Sequence, residues 1–190
     1  MAVLRKIKHR LLDSLISPAR YFIGVSFILL TVGMVQPRVI PSKEYQIKAV
    51  FLYNFTQFVE WPVSSFNEAE SPLVIGVLGK NPFGTYLSET VRDEKINGHP
   101  LMVKYYSKAE DAEGCHILFV NQPKTTDLKK LLSQLKSRSV LTVSDASSFI
   151  QDGGMIQFLT KSNKIRLLIN SEMAKTSGLT ISSKLLRLSE

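Results

Sequence analysis

Residues 72–84 read PLVIGVLGKNPFG and indicate the fold more directly than any other stretch of this 190-residue chain. The run from Pro72 to Leu78 is apolar and rich in β-branched residues, without the polar alternation that marks a strand exposed on one face. A continuous run of this kind is typical of a strand covered on both faces, as in a parallel sheet. Gly79 to Gly84 follow as a loop, and we expect a helix over about residues 82–91.

The same pattern returns twice downstream. Cys115 to Val120 (CHILFV) and Val140 to Val143 are short apolar runs, and between them Thr126 to Lys136 has leucines at the spacing of an amphipathic helix. Alternating strands and helices predict a three-layer α/β sandwich, in which a mostly parallel sheet carries helices on both faces. Met155 to Leu159 and Ile165 to Ile169 flank a polar turn and predict an antiparallel hairpin near the C-terminal edge.

A further helix is predicted before these strands, over residues 42–59. Ser42 suits the N-cap, and Trp61-Pro62 ends the helix because the residue before proline avoids helical backbone angles. This helix is apolar on nearly every side, so its aromatic residues fit core packing better than a partner-binding face. The remaining predictions are a strand at Leu101–Tyr106 and a turn at Lys95–Gly98, short helices at Lys108–Glu113, about 146–151 and Asn170–Lys175, and a short amphipathic tail at Ser182–Leu188.

The chain begins with a hydrophobic leader. Residues 1–20 carry five basic residues and one acidic residue, and a predominantly apolar, uncharged run follows from Tyr21 to Val35. About 15 such residues after a basic segment are typical of a secretory signal and short for a membrane span, which needs about 20. We therefore expect a signal peptide over residues 1–35 and one α/β domain over residues 36–190. Because Thr31 and Gly33 make a weak cleavage site, an uncleaved anchor in the inner membrane is the alternative.

The charge and the cysteine content narrow the class of protein. The net charge is +8 and the leader supplies half of it, so the domain itself is mildly basic and its charge does not indicate nucleic-acid binding. Cys115 is the single cysteine, which leaves no disulfide to form within one chain.

No catalytic or metal-binding grouping can be placed in the sequence. His9 lies in the leader, His99 stands beside Pro100, and His116 follows Cys115 in a predicted strand. Adjacent strand residues point to opposite faces, so this Cys-His pair is unsuited to share a metal or to act as nucleophile and base. We expect no catalytic residues, no metal and no cofactor, and hence a protein that is not an enzyme.

Polar residues follow three of the apolar strands where each strand ends. They are Gly79, Lys80 and Asn81, then Asn121 and Gln122, and finally Ser144 and Asp145. In an open α/β sheet, ligands bind outside the carboxyl ends of the strands. If the three strands are neighbours, these residues line one crevice that could take a small ligand, whereas the simpler interpretation is ordinary turn chemistry.

Six segments stand out through their joint order and spacing. They are YQIKAVFLYNFTQFVEWP (Tyr45–Pro62), PLVIGVLGKNPFG (Pro72–Gly84), INGHPL (Ile96–Leu101), GCHILFV (Gly114–Val120), VLTVSDASSFIQDGGMIQF (Val140–Phe158) and ISSKLLRL (Ile181–Leu188). Together they span nearly all of residues 43–188, and in this combination they resemble the YfiR family.

The resemblance implies an exported, periplasmic repressor. Such a protein restrains a membrane-bound diguanylate cyclase of the YfiN type through the periplasmic sensor region of the cyclase, and so lowers cyclic-di-GMP. The resemblance also implies an outer-membrane lipoprotein that sequesters the repressor, and a homodimer, but no motif marks the partner surface. The alternative is a periplasmic small-ligand sensor without a cyclase partner.

One position departs from the family pattern. Members of the family often carry further cysteines, one of them in the strand that here reads Val74-Ile75-Gly76-Val77. This chain has Gly76 in that strand, which excludes a redox-sensitive disulfide within the monomer. A bridge between two chains through Cys115 is formally open, although a thiol inside an apolar strand is poorly reactive.

Overall fold

The apolar runs of the sequence form the centre of a seven-stranded sheet. The computed structural model describes residues 40–121 and 125–189. In chain order the elements are α1 (Lys43–Phe58), β1 (Val59–Glu60), β2 (Leu73–Gly79), α2 (Tyr86–Thr90), β3 (Lys95–Ile96), β4 (His99–Tyr106), β5 (Ile117–Asn121), α3 (Thr125–Leu135), β6 (Leu141–Ser144), β7 (Ile156–Lys161), β8 (Lys164–Ile169), α4 (Ser171–Thr176), β9 (Thr180–Ile181) and α5 (Ser183–Leu186). Short 3-10 turns lie at Val63–Ser65 and Ala109–Asp111.

The strand order of the large sheet is β3-β4-β2-β5-β6-β7-β8. The five strands from β4 to β7 are parallel, and β3 and β8 join the two edges antiparallel. The chain enters the sheet at β2, adds β4 on one side and then places β5 on the other side. The order of strands therefore reverses between β2 and β5, which is where open α/β sheets present a crevice.

Two apolar cores lie on the two faces of the sheet. On one face α1 packs on β2, β5 and β7 through Ala49, Leu52 and Phe55, which are fully buried. On the other face α3 packs through its leucines against Val74, Leu78 and Leu118 of the sheet. The prediction of a three-layer sandwich with helices on both faces and an antiparallel hairpin is confirmed.

The helix predicted over residues 82–91 is shorter than expected, since α2 begins only at Tyr86. The Asn81 side chain closes a tight loop instead: Oδ1 accepts from the Phe83 N–H at 2.9 Å, and Nδ2 donates to the Gly84 carbonyl at 2.9 Å. Gly84 then has a φ of 55°, a left-handed conformation that interrupts helical geometry.

The short helix predicted near 146–151 is wrong, because this segment forms successive turns. The buried side chain of Gln157 takes part in its backbone bonding: Nε2 donates to the Ser147 carbonyl at 3.2 Å, and Oε1 accepts from the Ile150 N–H at 3.4 Å. Competition from such side chains, together with the local serines, favours turns over a regular helix.

The smaller predictions mostly hold with adjusted bounds. The region 95–98 contains the two-residue strand β3 and a turn at Asn97-Gly98, where both φ angles are positive. The region 108–113 contains a 3-10 turn. The C-terminal hairpin turns within two residues, Ser162-Asn163, and Asn170 caps α4 through the Met173 N–H at 3.0 Å.

Candidate functional site

The three polar strand exits are neighbours, because β2, β5 and β6 are adjacent and parallel. Gly79 lies opposite Asn121 in the register of β2 and β5. The Asn121 side chain donates from Nδ2 to the Lys80 carbonyl at 2.6 Å, which ties the two exits together. At the third exit, Ser144 Oγ is buried and donates to the Val120 carbonyl at 2.7 Å.

A buried ammonium group lies at the third exit. Lys48 of α1 is only 2% exposed, and its Nζ lies 2.6 Å from Asp145 Oδ2 and 2.6 Å from Glu44 Oε1. The Tyr45 hydroxyl donates to the same Asp145 oxygen at 3.0 Å, and the ammonium lies 4.5 Å from the centre of the Tyr45 ring. A buried charge needs such partners, since its removal from water is costly.

This cluster of Glu44, Tyr45, Lys48 and Asp145 affects the acidity of its members. The hydrogen bond from Lys48 lowers the pKa of the Glu44 carboxyl. Burial, reinforced by the charge of Asp145, raises the pKa of Tyr45 to about 12. One signal for the cluster is visible in the sequence, an acid and a base spaced i and i+4 in an otherwise apolar helix, but nothing there links Asp145 to them.

The polar groups at the carboxyl edge therefore largely bond to one another. Asn81 closes its own loop, Asn121 is bonded to Lys80, and Asp145 is held by α1. Gln122 lies outside the described residues. The crevice prediction stays a prediction, and any ligand there would compete with these internal hydrogen bonds.

A second concave feature lies at the opposite, amino edge of the sheet. A pocket of about 610 Å³ opens where β2 and β4 begin, and its lining includes Glu60, Trp61, Phe66, Leu73, Asn97 and His99. The segment Trp61–Ala69, which we call the pocket loop, supplies one wall of it. The pocket combines aromatic surface with a few polar groups, which is the usual composition of a small-molecule site.

Two histidines sandwich Phe66 beside this pocket. The Phe66 ring stacks on His99 at 3.8 Å between ring centres and on His116 at 4.5 Å. The Trp61 ring meets His116 edge-on, and Trp61 Nε1 donates to the His116 carbonyl at 3.1 Å. Sequence reasoning missed this arrangement because Phe66 lies in a polar loop, far along the chain from both histidines.

The described residues contain no metal-binding cluster, and the cysteine among them is buried. Within residues 40–121 and 125–189, no three His, Cys, Asp or Glu side chains are placed to hold a metal ion. Cys115 is buried against α3, and burial raises the pKa of its thiol to about 12, so the reactive thiolate is disfavoured. In the same ranges no helix combines the length and the apolar character needed to cross a membrane.

Comparison with known proteins identifies the family. The family described as YfiR/HmsC-like matches residues 45–190, which covers most of the chain, and the protein belongs to that family. No curated protein matches the chain significantly. Membership implies a periplasmic regulator of cyclic-di-GMP signalling, with a regulatory role rather than a catalytic one and with a membrane diguanylate cyclase as partner.

Proposed function

We propose that this YfiR/HmsC-like protein restrains a membrane-bound diguanylate cyclase by binding its periplasmic sensor region, and so lowers cyclic-di-GMP and biofilm formation. The observation that carries the proposal is the family match over residues 45–190, which includes nearly every described element.

The location of the protein is part of the proposal. Residues 1–35 act as a signal peptide that exports the domain of residues 36–190, and if the leader is not cleaved it anchors the domain in the inner membrane. An outer-membrane lipoprotein would then sequester the repressor, and the repressor would work as a homodimer. These further partners follow from the family resemblance.

The test measures cyclic-di-GMP in the native host. Deletion of the gene should raise cyclic-di-GMP, and a restored wild-type copy should return it to the original level. A copy that lacks residues 2–35 serves as the matched control and should fail to restore it, because the domain would stay on the wrong side of the membrane. Unchanged cyclic-di-GMP in a deletion strain, where the wild-type strain demonstrably makes the protein, would reject the repressor role.

A second function, the sensing of a small ligand, is favoured by the pocket of about 610 Å³ at the amino edge. A ligand at one hundred times its Kd stabilises the native state by about 2.7 kcal/mol, which a melting curve detects. We would screen the twenty amino acids and the common nucleotides with the wild-type protein. Loss of a shift in His99→Ala would assign the ligand to this pocket, whereas loss in Lys80→Ala and Asn121→Ala would assign it to the carboxyl-edge crevice.

A further inference from the structure

His116 makes the hydrogen bonds that hold the pocket loop on the sheet, beside the stacking of Phe66 on His99 of β4. Its ring nitrogen Nε2 lies 3.2 Å from the Ser65 carbonyl, its ring stacks on Phe66, and its own carbonyl accepts the indole N–H of Trp61. The side chain is 5% exposed. Three residues of the loop thus contact one buried imidazole.

The partners of the ring determine its protonation state. Nδ1 lies 3.1 Å from the backbone N–H of Val74, which can only donate, so this nitrogen carries no proton. Nε2 faces a carbonyl, which can only accept, so this nitrogen carries the proton. His116 is therefore a neutral imidazole with both nitrogens satisfied.

A second proton has no acceptor in this arrangement. A proton on Nδ1 would point at the Val74 N–H, whose nitrogen lies 3.1 Å away, and two donors would then face each other. The Val74 N–H cannot rotate away, because Val74 lies in β2 and its carbonyl accepts a hydrogen bond from the backbone N–H of His116 at 2.9 Å. The imidazolium could form only if the ring moved, which would break its hydrogen bond to the Ser65 carbonyl and its stacking on Phe66.

The charged groups around His116 do not compensate for the added proton. His99 lies on the far side of Phe66, while Glu113 and Arg138 line a small neighbouring pocket together with Ser65 and pair with each other at 3.6 Å. Within residues 40–121 and 125–189 no carboxylate forms an ion pair with His116. Burial first, and His99 to a smaller degree, lower the pKa of His116.

We propose that His116 is an acid-sensitive latch that holds the pocket loop on the sheet at neutral pH and releases it when the ring is protonated. Release removes Trp61 and Phe66 from the wall of the amino-edge pocket, so the pocket exists in the neutral form and is lost in acid. The inference does not depend on the cyclase or on a ligand, since it rests on contacts within the domain.

The latch can be tested with intrinsic fluorescence, because Trp61 is the single tryptophan of the chain and contacts His116 directly. We would titrate the purified full chain from about pH 8 to pH 4, across the ordinary range of histidine. We expect a red-shifted emission and stronger acrylamide quenching of Trp61 below about pH 6.5, with unchanged far-UV circular dichroism. His116→Gln should abolish both changes, because its amide can accept from Val74, donate to Ser65 and does not titrate.

His99→Gln is the matched control and should keep the transition. Four outcomes would each overturn the latch. The fluorescence transition could be equal in wild type and His116→Gln, or it could be lost in His99→Gln. It could be absent in wild type down to about pH 4, or it could coincide with a loss of circular dichroism. If His116→Gln does not fold at neutral pH, NMR titration of the wild-type imidazole and indole resonances replaces it. A Trp61 indole shift that does not follow the protonation of His116 would then overturn the proposal.

Discussion

Burial of the Lys48 ammonium is unfavourable in itself, and two carboxylates and an aromatic ring offset that penalty. The two carboxylates come from two places, α1 and the residue that follows β6, so the cluster ties the first helix to the centre of the sheet. Half of the cluster was readable in the sequence as the i, i+4 pair Glu44 and Lys48. Asp145 was not, because a contact between residues 97 positions apart leaves no local pattern.

We expect Lys48→Met to destabilise the domain by about 3 kcal/mol, the lower part of the range for a broken buried ion pair. The value lies there because Asp145 and Glu44 keep side-chain exposures of 22% and 40% and can recruit water. Urea denaturation at neutral pH measures the change. Lys130→Met, on the exposed side of α3, is the control and should alter stability by no more than about 0.5 kcal/mol. Equal effects of the two substitutions would contradict a structural role for the cluster.

Gly76 is the second residue with a specific consequence. A Cβ at this position would lie 3.4 Å from the Cβ of Cys115, close to the separation in a disulfide, and 2.9 Å from the Tyr106 ring. Gly76→Cys should therefore form a disulfide with Cys115 on oxidation, which closes a loop of about 40 residues and restores up to about 4 kcal/mol. Before oxidation, crowding against Tyr106 should destabilise the protein by about 1–3 kcal/mol.

Gly76→Ser, with nearly the same volume and no thiol, is the matched control. Both variants should unfold at a lower guanidinium concentration than wild type under reducing conditions, and only Gly76→Cys should recover on oxidation. Free-thiol titration counts the cysteines. Two free thiols after oxidation, or an equal recovery of Gly76→Ser, would contradict the proximity of positions 76 and 115.

At the scale of elements, the prediction of strands was correct where burial alone determines the structure. The prediction of a helix near 146–151 was wrong because side chains there compete for the hydrogen bonds of the backbone. The strands β2, β5 and β6 are covered on both faces, so their sequences are mainly apolar runs, and the helix α3 separates the last two of them. The crossover from β6 to β7 contains no such pattern. Its turns depend on Gln157, whose amide reaches back to Ser147 and Ile150 from the next strand.

Gln157→Leu should therefore destabilise the domain by about 1 kcal/mol, since it removes the partner of the Ser147 carbonyl and of the Ile150 N–H, in hydrogen bonds that are only partly buried. The volume of the side chain is similar, so the loss measures hydrogen bonding more than size. Thermal and urea unfolding give the change. Gln134→Leu, at an exposed position of α3, should leave the midpoint almost unchanged, and a comparable loss in both variants would contradict the account of the crossover.

At the scale of the whole molecule, the order of strands could be derived only in part. Alternation of strands and helices predicts a parallel sheet. The reversal of strand order between β2 and β5 depends on which strands pair with each other, and no local sequence pattern indicates that pairing. The same limit explains why the amino-edge pocket was missed. Its wall joins Trp61 and Phe66 to His99 of β4, and Phe66 also stacks on His116, just before β5.

The buried titratable groups together predict how the stability of the domain depends on pH. His116 and Glu44 have pKa values lowered by folding, so the stability that each contributes is present above its ordinary pKa of 6.5 and 4.5 and is lost as the pH falls below it. Cys115 and Tyr45 have pKa values raised to about 12 from 9.0 and 10.0, so their contributions are lost as the pH rises through that interval. We expect a plateau of stability between about pH 6.5 and pH 9, measured as urea midpoints across pH. Cys115→Ala should extend the plateau to about pH 10, above which the contribution of Tyr45 to stability begins to be lost. If the alkaline limit of the plateau is unchanged in that variant, the buried thiol is not the cause of the limit.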